Sequence, residues 1–205
     1  MKRIYAVILA AGTSSRLGFN KLTVKIDDKP VISRAVEPFC LEGIDRIFVV
    51  MNPDCEDIER DLEQVARSSQ ITFVRNMNFR QGMSSSVKAA IPFIKDGDAV
   101  FFHLGDKPFI KRELVSRMLD LYLEDNSPMI IPEYEGEKGH PVLMEIGPHL
   151  DEMEWLEGDR GLREIVDKHS EDVVSIEGDE GTVFDIDTVE ALNILEKRGF
   201  RVEKG

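Results

Sequence analysis

Three polar clusters in this 205-residue chain lie beside apolar runs, and each has a composition suited to an anionic, phosphate-bearing ligand. The first is Leu9-Ala10-Ala11-Gly12-Thr13-Ser14-Ser15-Arg16-Leu17-Gly18, with Lys21 three residues on. Gly12 and Gly18 admit positive φ and close backbone approach to an anion, Thr13, Ser14 and Ser15 offer hydroxyl donors, and Arg16 and Lys21 supply two cations. That combination suits a triphosphate. Its spacing matches neither G-x-x-x-x-G-K-[ST] nor G-x-G-x-x-G, which excludes the two commonest phosphate loops. The same glycines and serines also suit an ordinary strand-to-loop turn.

The second cluster supplies carboxylates. Asp106 follows the apolar run Ala99 to Leu104 in Gly105-Asp106-Lys107-Pro108. If that run lies beside Ile4 to Leu9 in a sheet, Asp106 faces the glycine loop and can hold Mg²⁺ through oxygen; the other reading is a Gly-Asp-x-Pro turn. A partner is available in Phe184-Asp185-Ile186-Asp187-Thr188, where alternation puts Asp185 and Asp187 on one side of an extended segment. Asp187 with Glu190 also reads as a helix-capping pair. The third cluster, Asn76-Met77-Asn78-Phe79-Arg80-Gln81-Gly82-Met83-Ser84-Ser85-Ser86, combines amides, hydroxyls and a helix start, so Asn76, Gly82, Ser84 and Ser85 are candidates for reading a base edge and binding an anion. A plain loop with a serine cap is the alternative.

Positioning these clusters requires strands that end beside one another. Apolar runs of strand length at Ile4 to Leu9, Arg46 to Met51, Ile71 to Val74, Ala99 to Leu104 and Met129 to Ile131 alternate with helical patterns at Pro30 to Phe39, Asp54 to Arg67, Ser84 to Ile94 and Lys111 to Leu123. This is the pattern of βαβ units and a mainly parallel α/β sheet. Beyond Pro132 the glycines fall among acidic residues, which predicts longer loops and a short hairpin or two around Pro141 to Ile146 and Val173 to Phe184. No linker or repeat interrupts residues 1–205, so the expectation is a single domain.

A net charge of −13 argues against nucleic acid or an anionic membrane as partner, and makes a divalent cation the expected companion of a nucleotide. Cys40 and Cys55 show no metal or disulfide spacing and read as packing residues of a reduced compartment. With no apolar segment of signal or membrane length, the expected location is the cytoplasm.

The first loop resembles the L-A-A-G-x-S-x-R-x-G loop of nucleotidyltransferases that activate sugar phosphates or the molybdenum cofactor, and Gly105-Asp106-Lys107-Pro108 resembles their G-D-x-P. Asn76 to Ser86 is similar to the N-x-x-F/W-x-x-G-M-x-S-S stretch of the molybdenum cofactor cytidylyltransferase branch. Gly139-His140-Pro141-Val142-Leu143 and Gly158-Asp159-Arg160-Gly161-Leu162-Arg163 resemble its G-x-P-V/A and G-D-x-G-x-R. The resemblance spans nearly the whole chain in order. It implies a three-layer, Rossmann-like nucleotide-diphospho-sugar transferase fold and transfer of CMP from CTP to a molybdopterin-type phosphate. Under it, Leu9, Ala10, Ala11, Gly12, Thr13, Ser14, Arg16 and Lys21 hold the triphosphate, with Arg16, Lys21 and Asp106 catalytic and Asp106 and Asp187 the Mg²⁺ ligands. Gly139, His140, Pro141, Gly158, Asp159, Arg160, Gly161 and Arg163 face the acceptor, so that the first half holds the nucleotide and the second half the acceptor; Asp159 also reads as a cap, Arg160 and Arg163 as solvated arginines, and His140 as a pre-proline loop residue. A molybdenum hydroxylase is the implied recipient of the product. Asp27-Asp28-Lys29-Pro30 departs from the Gly-Lys-Pro of relatives, so Lys29 is left out of the site. The first loop and Gly-Asp-x-Pro alone also fit a sugar- or alcohol-phosphate nucleotidyltransferase, a guanylyltransferase, or a non-catalytic nucleotide-binding assembly factor.

Overall fold

The computed structural model describes residues 2–13, 17–68 and 70–204. In chain order the strands are β1 (Ile4–Ala10), β2 (Lys25–Ile26), β3 (Lys29–Pro30), β4 (Arg46–Met51), β5 (Ile71–Arg75), β6 (Ala99–Leu104), β7 (Met129–Tyr134), β8 (Glu137–Lys138), β9 (Val142–Glu145), β10 (Val173–Glu177) and β11 (Val202–Glu203). The helices are α1 (Val31–Val36), α2 (Glu56–Asp61), α3 (Glu63–Ser68), α4 (Met83–Ile94), α5 (Arg112–Asp125), α6 (Leu150–Trp155), α7 (Arg163–Lys168), α8 (Glu180–Val183) and α9 (Val189–Lys197).

The main sheet has the order β10-β7-β9-β6-β1-β4-β5, with β8 paired to β7. Its strands run parallel except β9, which lies antiparallel between β6 and β7, and β8. Burial on both faces explains why the central strands are continuous apolar runs. Alternation divides β1 between two cores. Ile4, Ala6, Ile8 and Ala10 join the cluster under α1, α5 and α9, whereas Tyr5 and Val7 join the cluster under α4, α6 and α7. The result is the three-layer α/β/α arrangement expected of the sequence.

Several local expectations are corrected. The helical pattern at Asp54 to Arg67 forms two helices, because Leu62 (φ −94°, ψ −1°) breaks the regular backbone while staying in the core. No serine caps α4. The N-cap is Gly82, at φ +92°, and the Ser85 hydroxyl donates back to its carbonyl at 2.8 Å. Residues 142–145 form a central strand instead of a hairpin, because Val142, Leu143 and Met144 are apolar on both faces. The hairpin of this half is β7–β8, turned by Glu135 and Gly136 at φ 51° and 83°. Residues 173–184 form a strand parallel to β7 followed by α8, whose N-cap Asp179 accepts from Gly181 N–H at 2.9 Å. Asp27 and Asp28, at φ 48° and 65°, turn the β2–β3 hairpin, and Lys29 beyond them pairs with Glu37. Cys55 sits in the core and Cys40 packs against it. Among the described residues, no helix is long and apolar enough to cross a membrane.

Candidate functional site

β1 and β6 are neighbours and parallel, with Leu9 opposite Leu104. Both chains therefore leave the sheet at the same carboxyl edge, the place where open α/β sheets bind ligands. Gly105 N–H donates to the Leu9 carbonyl at 2.9 Å. A Cβ on Gly105 would stand 3.2 Å from the Ala10 Cβ and 3.1 Å from Ile32 Cδ1, so the small residue lets the two loops close together.

Asp106 is coupled directly to the late acidic segment, because its carbonyl accepts from Ile186 N–H at 3.0 Å. Ile186 is fully buried in the core, and alternation turns Asp185 and Asp187 the other way. The helix-capping reading of Asp187 is overturned. Thr188 is the N-cap of α9, its hydroxyl accepting from Ala191 N–H at 3.2 Å. Lys21 is held from the other side by an Asn20 side chain that accepts from Leu22 N–H at 3.1 Å, with Leu22 anchored in the core.

Lys21 Nζ donates to both Asp106 Oδ2 and Asp187 Oδ1. Burial is the largest single influence on this ammonium and works to lower its pKa, but the two carboxylates together raise it above the usual lysine range. Lys21 is thus a permanent cation between two carboxylates. Asp106 keeps Oδ1 buried without a hydrogen-bond partner, an oxygen available to a hard cation. Behind this triad Lys107 donates to the Val183 carbonyl at 2.6 Å and lies 3.8 Å from Asp185; burial lowers its pKa. Burial also raises the Asp185 carboxyl, with Lys107 opposing and Asp187 and Asp106 adding.

Lys21, Asp106 and Asp187 border a cleft of about 700 Å³. Of the residues expected at the nucleotide and metal, Leu9, Ala10, Ala11, Gly12, Thr13, Lys21, Gly82, Asp106 and Asp187 line it. Ser14 and Arg16, with Ser15 between them, lie outside the described residues. Asn76 does not form the wall. It is 2% exposed, donating to the Ser85 and Ser86 hydroxyls at 2.8 and 3.0 Å and accepting from Asn78 N–H at 2.9 Å, which makes it a strut for the loop before α4. Ser84 and Ser85 are likewise buried, and among the described residues Ser86 is the serine that reaches the cleft. Phe79 and Arg80 also line it, the guanidinium 5.4 Å from the Phe79 ring centroid; a cation two residues before Gly82 is the signal that marks Arg80.

The 158–161 loop belongs to the same cleft. Gly158 carbonyl accepts from Ser84 N–H at 3.0 Å, and a Cβ on Gly82 would stand 2.6 Å from Gly158 backbone and 2.5 Å from Asp159 Oδ1. Gly161 abuts Met83, and Asp159 lines the cleft. Arg160 points elsewhere, paired with Asp167 at 2.7 Å, and Arg163 is exposed. Gly139, His140 and Pro141 are not on the cleft wall either. Gly139 packs against Thr182 of α8, His140 N–H donates to the Thr182 carbonyl at 2.9 Å, and the His140–Pro141 bond is cis. Burial, then the charge of Lys107, lowers the His140 pKa to about 4.

The sequence pattern of the MobA-like NTP transferase domain matches residues 6–173. The chain is 29% identical over 144 residues to the molybdenum cofactor cytidylyltransferase of Escherichia coli (strain K12), covering 70% of this chain and 71% of that protein. It is 36% identical over 121 residues to the 2-C-methyl-D-erythritol 4-phosphate cytidylyltransferase of Clostridium tetani (strain Massachusetts / E88), covering 55% of this chain and 46% of that relative. A solved nucleotidyl transferase structure from Methanothermobacter superposes with a TM-score of 0.79 at 20% identity, over 96% of this chain and 98% of that one, a likeness of fold.

Proposed function

Because the chain belongs to the MobA-like NTP transferase family, and so is a nucleotidyltransferase, we propose that it transfers CMP from CTP to the terminal phosphate of a molybdopterin-type acceptor and releases pyrophosphate. The observation that carries the chemistry is Lys21 between Asp106 and Asp187 at the mouth of the glycine loop. The molybdenum cofactor cytidylyltransferase similarity supports the choice of base and acceptor.

The acceptor phosphate attacks the α-phosphorus, the bond to the bridging oxygen breaks, and pyrophosphate leaves with its electrons. An anionic phosphate oxygen needs no general base, so catalysis rests on in-line positioning and neutralisation of charge. Ala11, Gly12 and Thr13 line the cleft with Lys21, and in this reading their backbone groups hold the phosphates beside its fixed positive charge. Arg16 is assigned the second cation by its place in the motif. Asp106 and Asp187 offer hard oxygen donors that fit Mg²⁺, including the unpartnered Asp106 Oδ1. When bound, Mg²⁺ would supply positive charge to the triphosphate. Asp159, Phe79 and Arg80 line the same cleft and are assigned in this reading to the base and acceptor. In this reading the protein acts in the cytoplasm, and a molybdenum hydroxylase receives the product.

The deciding experiment is the melting temperature with CTP, GTP, ATP and UTP, each with and without Mg²⁺, followed by pyrophosphate release with molybdopterin. Binding to the native state raises the melting temperature by mass action. A Mg²⁺-dependent rise confined largely to CTP, with molybdopterin-dependent pyrophosphate release, is expected; a preference for GTP overturns the base assignment. The 36% identity over 121 residues to a 2-C-methyl-D-erythritol 4-phosphate cytidylyltransferase supports a second reading, an alcohol-phosphate acceptor. Selectivity for CTP with turnover of that acceptor and not of molybdopterin would decide for it.

A further inference from the structure

A second cluster of chemistry-bearing side chains lies outside the nucleotide cleft. His149, the N-cap of α6, Glu152 in the first turn of α6 and His169, the C-cap of α7, each offer a ligand atom, and these atoms all lie within 4.8 Å of one another. His149 is 3% exposed, and its Nδ1 has no hydrogen-bond partner. His169 Nε2 stands 2.9 Å from Glu152 Oε1, and the two imidazole rings cross with centroids 4.8 Å apart. The other nitrogen of His169, Nδ1, faces Asp172 Oδ2 at 3.8 Å. None of these residues lines the cleft described above.

We propose that His149, Glu152 and His169 bind a transition-metal dication of the zinc class, which joins the two ends of the segment carrying the 158–161 loop. Two imidazoles and one carboxylate are a donor set for Zn²⁺ and its neighbours, whereas Mg²⁺ selects oxygen ligands. Tetrahedral bonds of about 2.1 Å place ligand atoms roughly 3.4 Å apart, so the observed cluster closes on an ion by small side-chain movements. Asp172 is a positioning residue. A carboxylate facing Nδ1–H orients the ring so that Nε2 is presented to the metal. The Lys168 ammonium, 3.0 Å from Glu152 Oε1, belongs to a side chain that is 64% exposed and swings into water when a dication takes its place.

The position gives the site a consequence. His149 and His169 bracket α6, the loop from Gly158 to Gly161 and α7, and that loop presses on Gly82 and carries Asp159 into the cleft. An ion at the base would fix the spacing of α6 and α7.

The test uses the full chain stripped with a chelator and titrated with Co²⁺, whose visible absorption reports tetrahedral nitrogen and oxygen ligands, followed by displacement with Zn²⁺. One equivalent of Co²⁺ is expected to give a saturating band that His149→Ala and His169→Ala abolish. Glu152→Gln weakens affinity by about tenfold or more, as does Asp172→Asn, in line with the loss of a ligand or of its orienting partner. Asp106→Asn, which alters the cleft carboxylate, leaves the band in place. Zn²⁺ raises the melting temperature of the unaltered chain more than that of Glu152→Gln at the same Zn²⁺ concentration, and this partly exposed position keeps the test available should a histidine variant unfold. No saturable band, a band untouched by the three ligand substitutions, or one removed by Asp106→Asn overturns the proposal.

Discussion

Lys21 is fixed at one end by the buried Leu22 and at the other by two carboxylates, so its charge is placed before any nucleotide arrives. Preorganised charge of this kind contributes in the transition state without reorganisation. Lys21→Ala is therefore expected to lower kcat by about 10²–10³-fold with the melting transition retained, measured as pyrophosphate release beside circular dichroism. Near-normal turnover would remove Lys21 from the mechanism. Asp187 and Thr188 are adjacent but have different work. Asp187→Asn should cut turnover with little change in melting, whereas Thr188→Ala should destabilise the chain by about 1 kcal/mol through loss of the α9 cap. Equal effects of the two on turnover would put Asp187 in a structural role. At this scale the meeting of Asp106 and Lys21 at one cleft was legible, because their types and their places after apolar runs put them at one sheet edge. Asn76 was not, since an amide that reads a base and one that braces a loop look identical until burial is known.

At the scale of elements, the junction between α4 and the 158–161 loop turns two separate motifs into one wall. Gly82 permits it. Its φ of +92° is open to glycine, and a Cβ there would stand 2.5 Å from Asp159 Oδ1. Gly82→Ala is expected to cost about 2 kcal/mol in urea unfolding, combining left-handed strain with the clash, and to weaken nucleotide binding. Unchanged stability and affinity would mean that the junction yields freely. The main strands were readable from their apolar runs, as was the placement of Asp106 after one of them. Strand β9 was not, because a three-residue apolar run carries no mark of direction, and only pairing with both β6 and β7 makes it a central antiparallel strand.

Across the whole molecule, the acidic composition and the histidines govern response to pH. Burial holds His103 well below its ordinary pKa and His140 at about 4, while the unfolded chain titrates both near 6.5. Between about pH 6.5 and 4 the unfolded state binds more protons, so stability falls as pH falls through that window. The raised Asp185 pKa works the opposite way, in the carboxylate range. Urea midpoints measured from pH 7 to 4 should decline, and His140→Gln should flatten the decline. An equally steep profile in that variant would exclude His140 as a source of the acid sensitivity.

The sequence by itself determined the α/β class, the central strands and the loops whose residues line one cleft. These depend on local pattern: apolar runs set strands, and small residues with cations mark an anion site. Tertiary structure decided which of the expected residues meet. It brought Asp187 onto Lys21 across 166 positions, joined Gly82 to Asp159, and turned Arg160 toward Asp167 and His140 toward α8. Those outcomes depend on sheet order and on the directions in which loops leave it, and long-range pairing leaves no local trace in the residues it unites.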